Sequence, residues 1–261
     1  MATLARAELE TLLRTRKLDR TLTSVMPAPD PTDDAAIAPS GISALDARLG
    51  GGFPRGHLSE LVGPRSSSRT SVLLQTLAAA TARGELVALV DALDMLDVES
   101  AAAAGVDLNR LLWIRGHVVP NPGFGRDVNQ RAVEQAIRAM ALVLQAGNFG
   151  VVALDVADAP PLAIRQLPFT TWLRLQRMVE ASQTICVLIG SEPMARSSAG
   201  LTVRLGSRNV SFGRRLFAGI EADARVLRAR THKHDDAPAT FSTFSTAATV
   251  ATLITGQARH G

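Results

Sequence analysis

Five runs of the chain read as strands, His57–Gly63 (HLSELVG), Glu85–Ala92 (ELVALVDA), Leu111–Gly116 (LLWIRG), Phe149–Val156 (FGVVALDV) and Thr184–Ser191 (TICVLIGS), and Glu85–Ala92 is the one that is continuously apolar. Runs of that length without polar alternation predict strands buried on both faces, as in a parallel sheet. Between them the pattern changes to helical spacing. Thr70–Gly84 sets Leu73, Leu74 and Leu77 on one side and ends in glycine, and Val98–Gly105, Asp127–Gly147 and Pro168–Ser182 read as further helices. Strands alternating with helices predict an α/β domain with a doubly covered, mostly parallel sheet. Gly200–Ser207, Arg208–Gly213 and Ala222–Arg230 follow one another with no helix between them, which predicts an antiparallel extension.

The ends read differently. Thr3–Arg16 places Leu4, Leu9, Leu12 and Leu13 at helical spacing among charges, so residues 1–24 are expected to hold an amphipathic helix, an arm for a partner or a second copy. Residues 25–39, rich in proline and aspartate, read as a linker, 40–234 as the core domain, and 235–261, dominated by Thr, Ser and Ala, as a flexible tail. Ser40–Gly56 opens the core with a short helix closed by three glycines.

Composition narrows the function classes. The chain has 261 residues, enough for one sizeable domain with appendages, and an apolar fraction of 46%. Aromatics are 4% with no tyrosine, which argues against rows of base-stacking side chains. The single cysteine, Cys186, lies in an apolar run and excludes an internal disulfide. No signal peptide or membrane-spanning run is read, so the chain is expected to be cytoplasmic. His232 and His234 flank Lys233 without carboxylate or thiol support, so no metal site is expected there. The net charge is +4, and the excess is local: Leu201–His234 holds seven Arg and one Lys against Glu221 and Asp223. Such a segment suits a polyanion or an acidic partner, or is a solvated strand face.

The stretch from Glu60 to Ser71, ELVGPRSSSRTS, has the outline of a phosphate-binding loop between a strand and a helix. The ordered series of Ser40–Ser71, Leu89–Trp113 (with GVDLNRLLW) and the Asp155-terminated strand resembles the bacterial RecA core across roughly Ser40 to His232. Within that family, RQLPFTTWLRLQR and ARSSAGLTVRL resemble the ImuA-like paralogs associated with damage-induced translesion synthesis. The resemblance implies a nucleotide loop formed by Gly63, Pro64, Arg65, Ser66, Ser67, Ser68, Arg69, Thr70 and Ser71, with ATP as ligand. It places Thr70 and Asp155 at magnesium.

The departures from that pattern carry the functional reading. Ser68 replaces a glycine, adding a Cβ where the backbone must curve. Arg69 replaces the lysine with a longer, planar cation. Leu93 stands where the family carries the glutamate that activates water, and leucine can neither take a proton nor orient water. Gly190-Ser191 stands in place of a phosphate-sensing Asn-Gln pair. The two DNA loops of the family map to Val156–Pro168, stiffened by three prolines, and to a short Ser191–Gly200. Arg165 and Arg196 are their candidate phosphate contacts. Arg204, Arg208, Arg214, Arg215, Arg228 and Arg230 form the further DNA or partner candidate.

The expectation is therefore a catalytically degenerate interaction or regulatory subunit in DNA repair. The resemblance implies as partners a RecA-type recombinase, a Y-family polymerase-like subunit and an error-prone replicative polymerase. The alternatives are an ATP-dependent, single-stranded-DNA-binding recombinase and a SulA-type cell-division inhibitor.

Overall fold

Residues 37–116, 126–180, 182–213, 216–230 and 238–244 are described by a computed structural model of the chain. The strands are β1 (Ile37–Ala38), β2 (Phe53–Pro54), β3 (Leu58–Val62), β4 (Leu86–Asp91), β5 (Leu111–Arg115), β6 (Phe149–Asp155), β7 (Ile185–Gly190), β8 (Leu201–Gly213), β9 (Leu216–Ala229) and β10 (Ala239–Phe244). The helices are α1 (Ser43–Arg48), α2 (Arg69–Ala82), α3 (Val98–Ala103), α4 (Arg126–Ala146), α5 (Pro161–Arg165) and α6 (Phe169–Val179). The N-terminal helix, most of the linker, Arg214, Arg215, His232, His234 and the residues after Phe244 lie outside the described residues.

The main sheet runs in the order β10-β9-β8-β3-β7-β6-β4-β5. From β8 through β3 to β5 every pairing is parallel, while β9 and β10 add on antiparallel. The predicted architecture is therefore the one observed. Because side chains alternate along a strand, each apolar run feeds two cores at once. Val151, Ala153, Ile185, Val187 and Ile189 pack under α1, α2 and α3, whereas Val152, Leu154, Cys186 and Leu188 pack under α4, α5 and α6.

Three segments differ from the sequence reading. Ala239–Phe244, expected within the flexible tail, form the edge strand β10, with Ala239 and Phe241 buried against the α1 side and Ser242 exposed. Ile37 and Ala38, expected in the linker, pair with Pro54 and Phe53. The stretches Gly200–Ser207 and Arg208–Gly213 run as one strand through an irregularity between Ser207 and Asn209. Only Leu201–Arg204 of β8 pair with β3, so the β8–β9 hairpin reaches past the end of the parallel sheet.

Candidate functional site

The C-terminal ends of β3, β4, β6 and β7 lie side by side, and the loop from Gly63 to Ser68 leaves β3 there to open α2. The loop keeps a tight curve. Ser66 and Ser68 both sit in the left-handed region, at φ 60° and 68°, a conformation that costs a residue with a Cβ about 1–2 kcal/mol. Ser68 occupies the position where glycine is expected and adopts the backbone a glycine would take. The Ser67 and Ser68 hydroxyls are buried with no hydrogen-bond partner among the described residues. Gly63 is crowded from two sides: a Cβ there would stand 2.3 Å from the Leu205 carbonyl oxygen on β8 and 2.7 Å from Ser67 Oγ of the loop.

The loop cation turns inward. Arg69 is buried, and its Nη1 donates to the Gly190 carbonyl oxygen at 2.8 Å. Burial lowers its pKa, a loss partly offset by the nearby Asp155 and Asp158 carboxylates. Arg65 reaches across to Asp158, with Nε 2.8 Å and Nη2 2.6 Å from Oδ1. This ties the loop to the turn after β6. Thr70, the first-turn residue of α2 read as a magnesium ligand, is exposed, as are Pro64, Arg65 and Ser66, and Ser71 is half-buried.

Asp155 ends β6 beside Asp91 of β4. Its Oδ1 accepts from the Ala157 amide at 2.9 Å. Desolvation is the main cause that raises its pKa to about 6, with the neighbouring Asp91 adding to it. Asp91 is occupied structurally: it accepts from the amides of Met95 (3.0 Å) and Leu96 (2.8 Å) and from Trp113 Nε1 (3.3 Å). Leu93 packs against the α4-side core. Asp94, with φ 58°, is held by Arg115 through two bonds of 2.7 and 2.8 Å, and the Arg115 guanidinium stacks 4.5 Å above the Trp113 ring. Asp91 and Asp94, on either side of Ala92 and Leu93, are thus both engaged by protein donors.

These residues fit an anion. The loop curvature, the amides opening α2 and the absence of an acidic residue in its first turn suit a phosphate. The Arg69 guanidinium is bound to a backbone carbonyl, and the side chain at position 93 is apolar.

The second-loop region is tied down by a residue that sequence reasoning missed. Glu60, on β3, is fully buried and accepts from the amides of Met194 and Ala195, each at 2.7 Å, and from the Thr202 hydroxyl at 2.8 Å. Its one visible signal was a carboxylate within the strand Leu58–Val62. The first-loop region contains α5, so it is less a loop than expected. Arg165 pairs with Glu192 at 2.8 Å and so links the two regions. Arg196 is exposed at φ 48°, and its carbonyl accepts from Arg228. Arg204 lies opposite Arg225, Arg228 opposite Thr202, and Arg204, Arg225, Arg228 and Arg230 are exposed. The Arg208 backbone lies on β8. The structure thus gathers Arg196, Arg204 and Arg228 around one end of the β8–β9 ladder, and Arg165 lines one cavity together with Arg196 and Glu192.

The chain matches the family model for the RecA N-terminal domain over residues 14–160. It belongs to the RecA N-terminal domain family. The RecA-family match takes in the loop, Leu93 and Asp155 and ends just before α5. Among its relatives, the chain is 37% identical over 130 residues to Protein RecA of Salinispora tropica, covering 49% of this chain and 33% of that protein. It is 37% identical over 138 residues to Protein RecA of Acholeplasma laidlawii, covering 52% and 38%. With Protein RecA of Mycobacterium ulcerans the figures are 38% over 125 residues, 48% and 32%. The chain spans about a third of the length of the curated relatives it matches. Among the described residues, no helix is long and apolar enough to cross a membrane.

Proposed function

We propose that this RecA-family chain does not turn over ATP and serves as an interaction or regulatory subunit in the response to DNA damage, of the ImuA-like, translesion-synthesis type. The observation that carries the reading is Leu93, a half-buried apolar side chain lying against the core, with Asp91 and Asp94 near it in the chain both engaged. The inward Arg69, bound to the Gly190 carbonyl, supports it. Its partners would be a RecA-type recombinase, a Y-family polymerase-like subunit and an error-prone replicative polymerase, with residues 1–24 as an arm for a partner or for a second copy. The test is ATP turnover by the purified chain with and without single-stranded DNA, beside a Thr70→Ala control. The expected result is no Thr70-dependent turnover, and DNA-stimulated hydrolysis that Thr70→Ala removes would overturn the reading. Removing the residues before Ile37 is expected to abolish partner association while the core stays folded.

A second reading rests on the preserved curve of the loop, the exposed Thr70 and the position of Asp155: an ATP- and magnesium-dependent recombinase that binds single-stranded DNA. Calorimetric titration with ATP, with and without magnesium, separates the two. Binding that requires magnesium and Thr70 favours the recombinase, and phosphate-like binding indifferent to magnesium favours the interaction subunit.

A further inference from the structure

Away from the loop, on the opposite face of the sheet, α4 and α6 flank a groove of about 330 Å³. Its floor is apolar, formed by Ile137, Leu167, Pro168 and Leu175. Its two walls each raise one cation, Arg138 from α4 and Arg174 from α6. Both are exposed, and neither has an ion-pair partner among the described residues. The one acid at the groove, Glu134, accepts from Gln130 Nε2 at 3.0 Å on its own helix. At the same end α6 opens with no side-chain cap and no acid in its first turn, so its amides add to the positive field.

We infer that this groove is a docking site for an acidic peptide segment of a partner protein, with an apolar side chain on the floor and flanking carboxylates on Arg138 and Arg174. The charge is complementary to such a segment, and the walls stand on rigid helices. A nucleic acid strand is disfavoured here, because the groove offers no aromatic side chain to stack a base and only two cations to follow a phosphate backbone. The site gives the interaction-subunit reading a surface, but it does not depend on the state of the phosphate loop. ATP turnover would overturn the former and leave the latter standing.

The test uses the full chain and fluorescein-labelled hexapeptides: Asp-Asp-Leu-Phe-Asp-Asp, the same peptide with Lys for Asp, and the same with Ser for Leu and Phe. Saturable binding of the acidic peptide is expected. Arg138→Glu combined with Arg174→Glu should weaken it roughly tenfold or more, and the Lys and Ser peptides should bind at least as poorly. Both positions are exposed, so the double variant should fold, and circular dichroism checks that it does. An Arg138→Gln, Arg174→Gln pair offers a milder second measurement, with a shallower salt dependence expected. The inference is overturned by no saturation at millimolar acidic peptide, by equal affinity in the charge-reversed variant, or by equal binding of the Lys peptide. Displacement of the acidic peptide by oligothymidylate that the same variants abolish would also overturn it, and would make the groove a nucleic-acid site.

Discussion

Arg69 Nη1 lies 2.8 Å from the Gly190 carbonyl oxygen, so the cation of the loop is joined to the end of β7 instead of facing solvent. The contact connects β3, through the loop, to the strand whose following turn Glu60 holds. On the proposed reading, an acid at position 93 would not by itself give ATP turnover. Leu93→Glu alone is expected to leave ATP turnover at background in a phosphate-release assay, because Arg69 remains bound to the Gly190 carbonyl.

Ser68 holds a glycine conformation and buries a hydroxyl without a partner. Ser68→Gly removes both costs, against a smaller entropic loss in the unfolded chain. The net expectation is a gain of about 1 kcal/mol, seen in thermal denaturation as a rise of roughly 2–4 °C. A fall in melting temperature would mean that the hydroxyl contributes to the loop.

Glu60 meets three buried donors. Glu60→Ala leaves two amides and a hydroxyl unsatisfied, at an expected cost of about 3 kcal/mol or more. Chemical denaturation gives the total. Hydrogen exchange at Met194 and Ala195 should rise more than at the centre of β6.

Asp155 gives the chain a pH dependence of known sign. The native carboxyl keeps its proton up to about pH 6, whereas an unfolded aspartate loses it near 4 (about 3.9). Between those values the native state binds more protons, so this group's contribution to stability falls as pH rises and stays low above 6. Asp155→Asn should therefore stabilise the chain at pH 8 by roughly 3 kcal/mol and have little effect at pH 4. Urea titrations of both proteins at the two pH values check this.

At the opposite end of the sheet, Glu85 accepts from Arg55 at 2.7 Å and from Arg83 at 3.0 Å. A Cβ on Gly150 would stand 2.0 Å from Glu85 Oε2. Gly150→Ala is expected to displace the carboxylate and cost about 3 kcal/mol. In the background of Glu85→Gln the same change should cost less, because both disturb one network.

The buried strands were legible because a strand covered on both faces leaves an uninterrupted apolar signature, as in Glu85–Ala92 and Thr184–Ser191. The edge strand β10 was not: Ala239 and Phe241 face the core, but the intervening Thr and Ser gave six residues the look of a polar tail. The left-handed turn at Ser68 follows from the loop pattern. The pairing of Asp94 with Arg115 and the hold of Glu60 on Met194 do not, since each partner arrives from a distant strand end and only the sheet order brings them together. Arg69 was visible as a substituted cation, but not its inward turn, which depends on the neighbouring β7 carbonyl.

Gly63 has a consequence for how such chains are recognised. The room it leaves is filled by a neighbouring strand, so its presence would outlast any loss of ligand. A pattern search that scores this glycine therefore counts architecture, and a lineage could give up the chemistry entirely while still displaying the first letter of its signature.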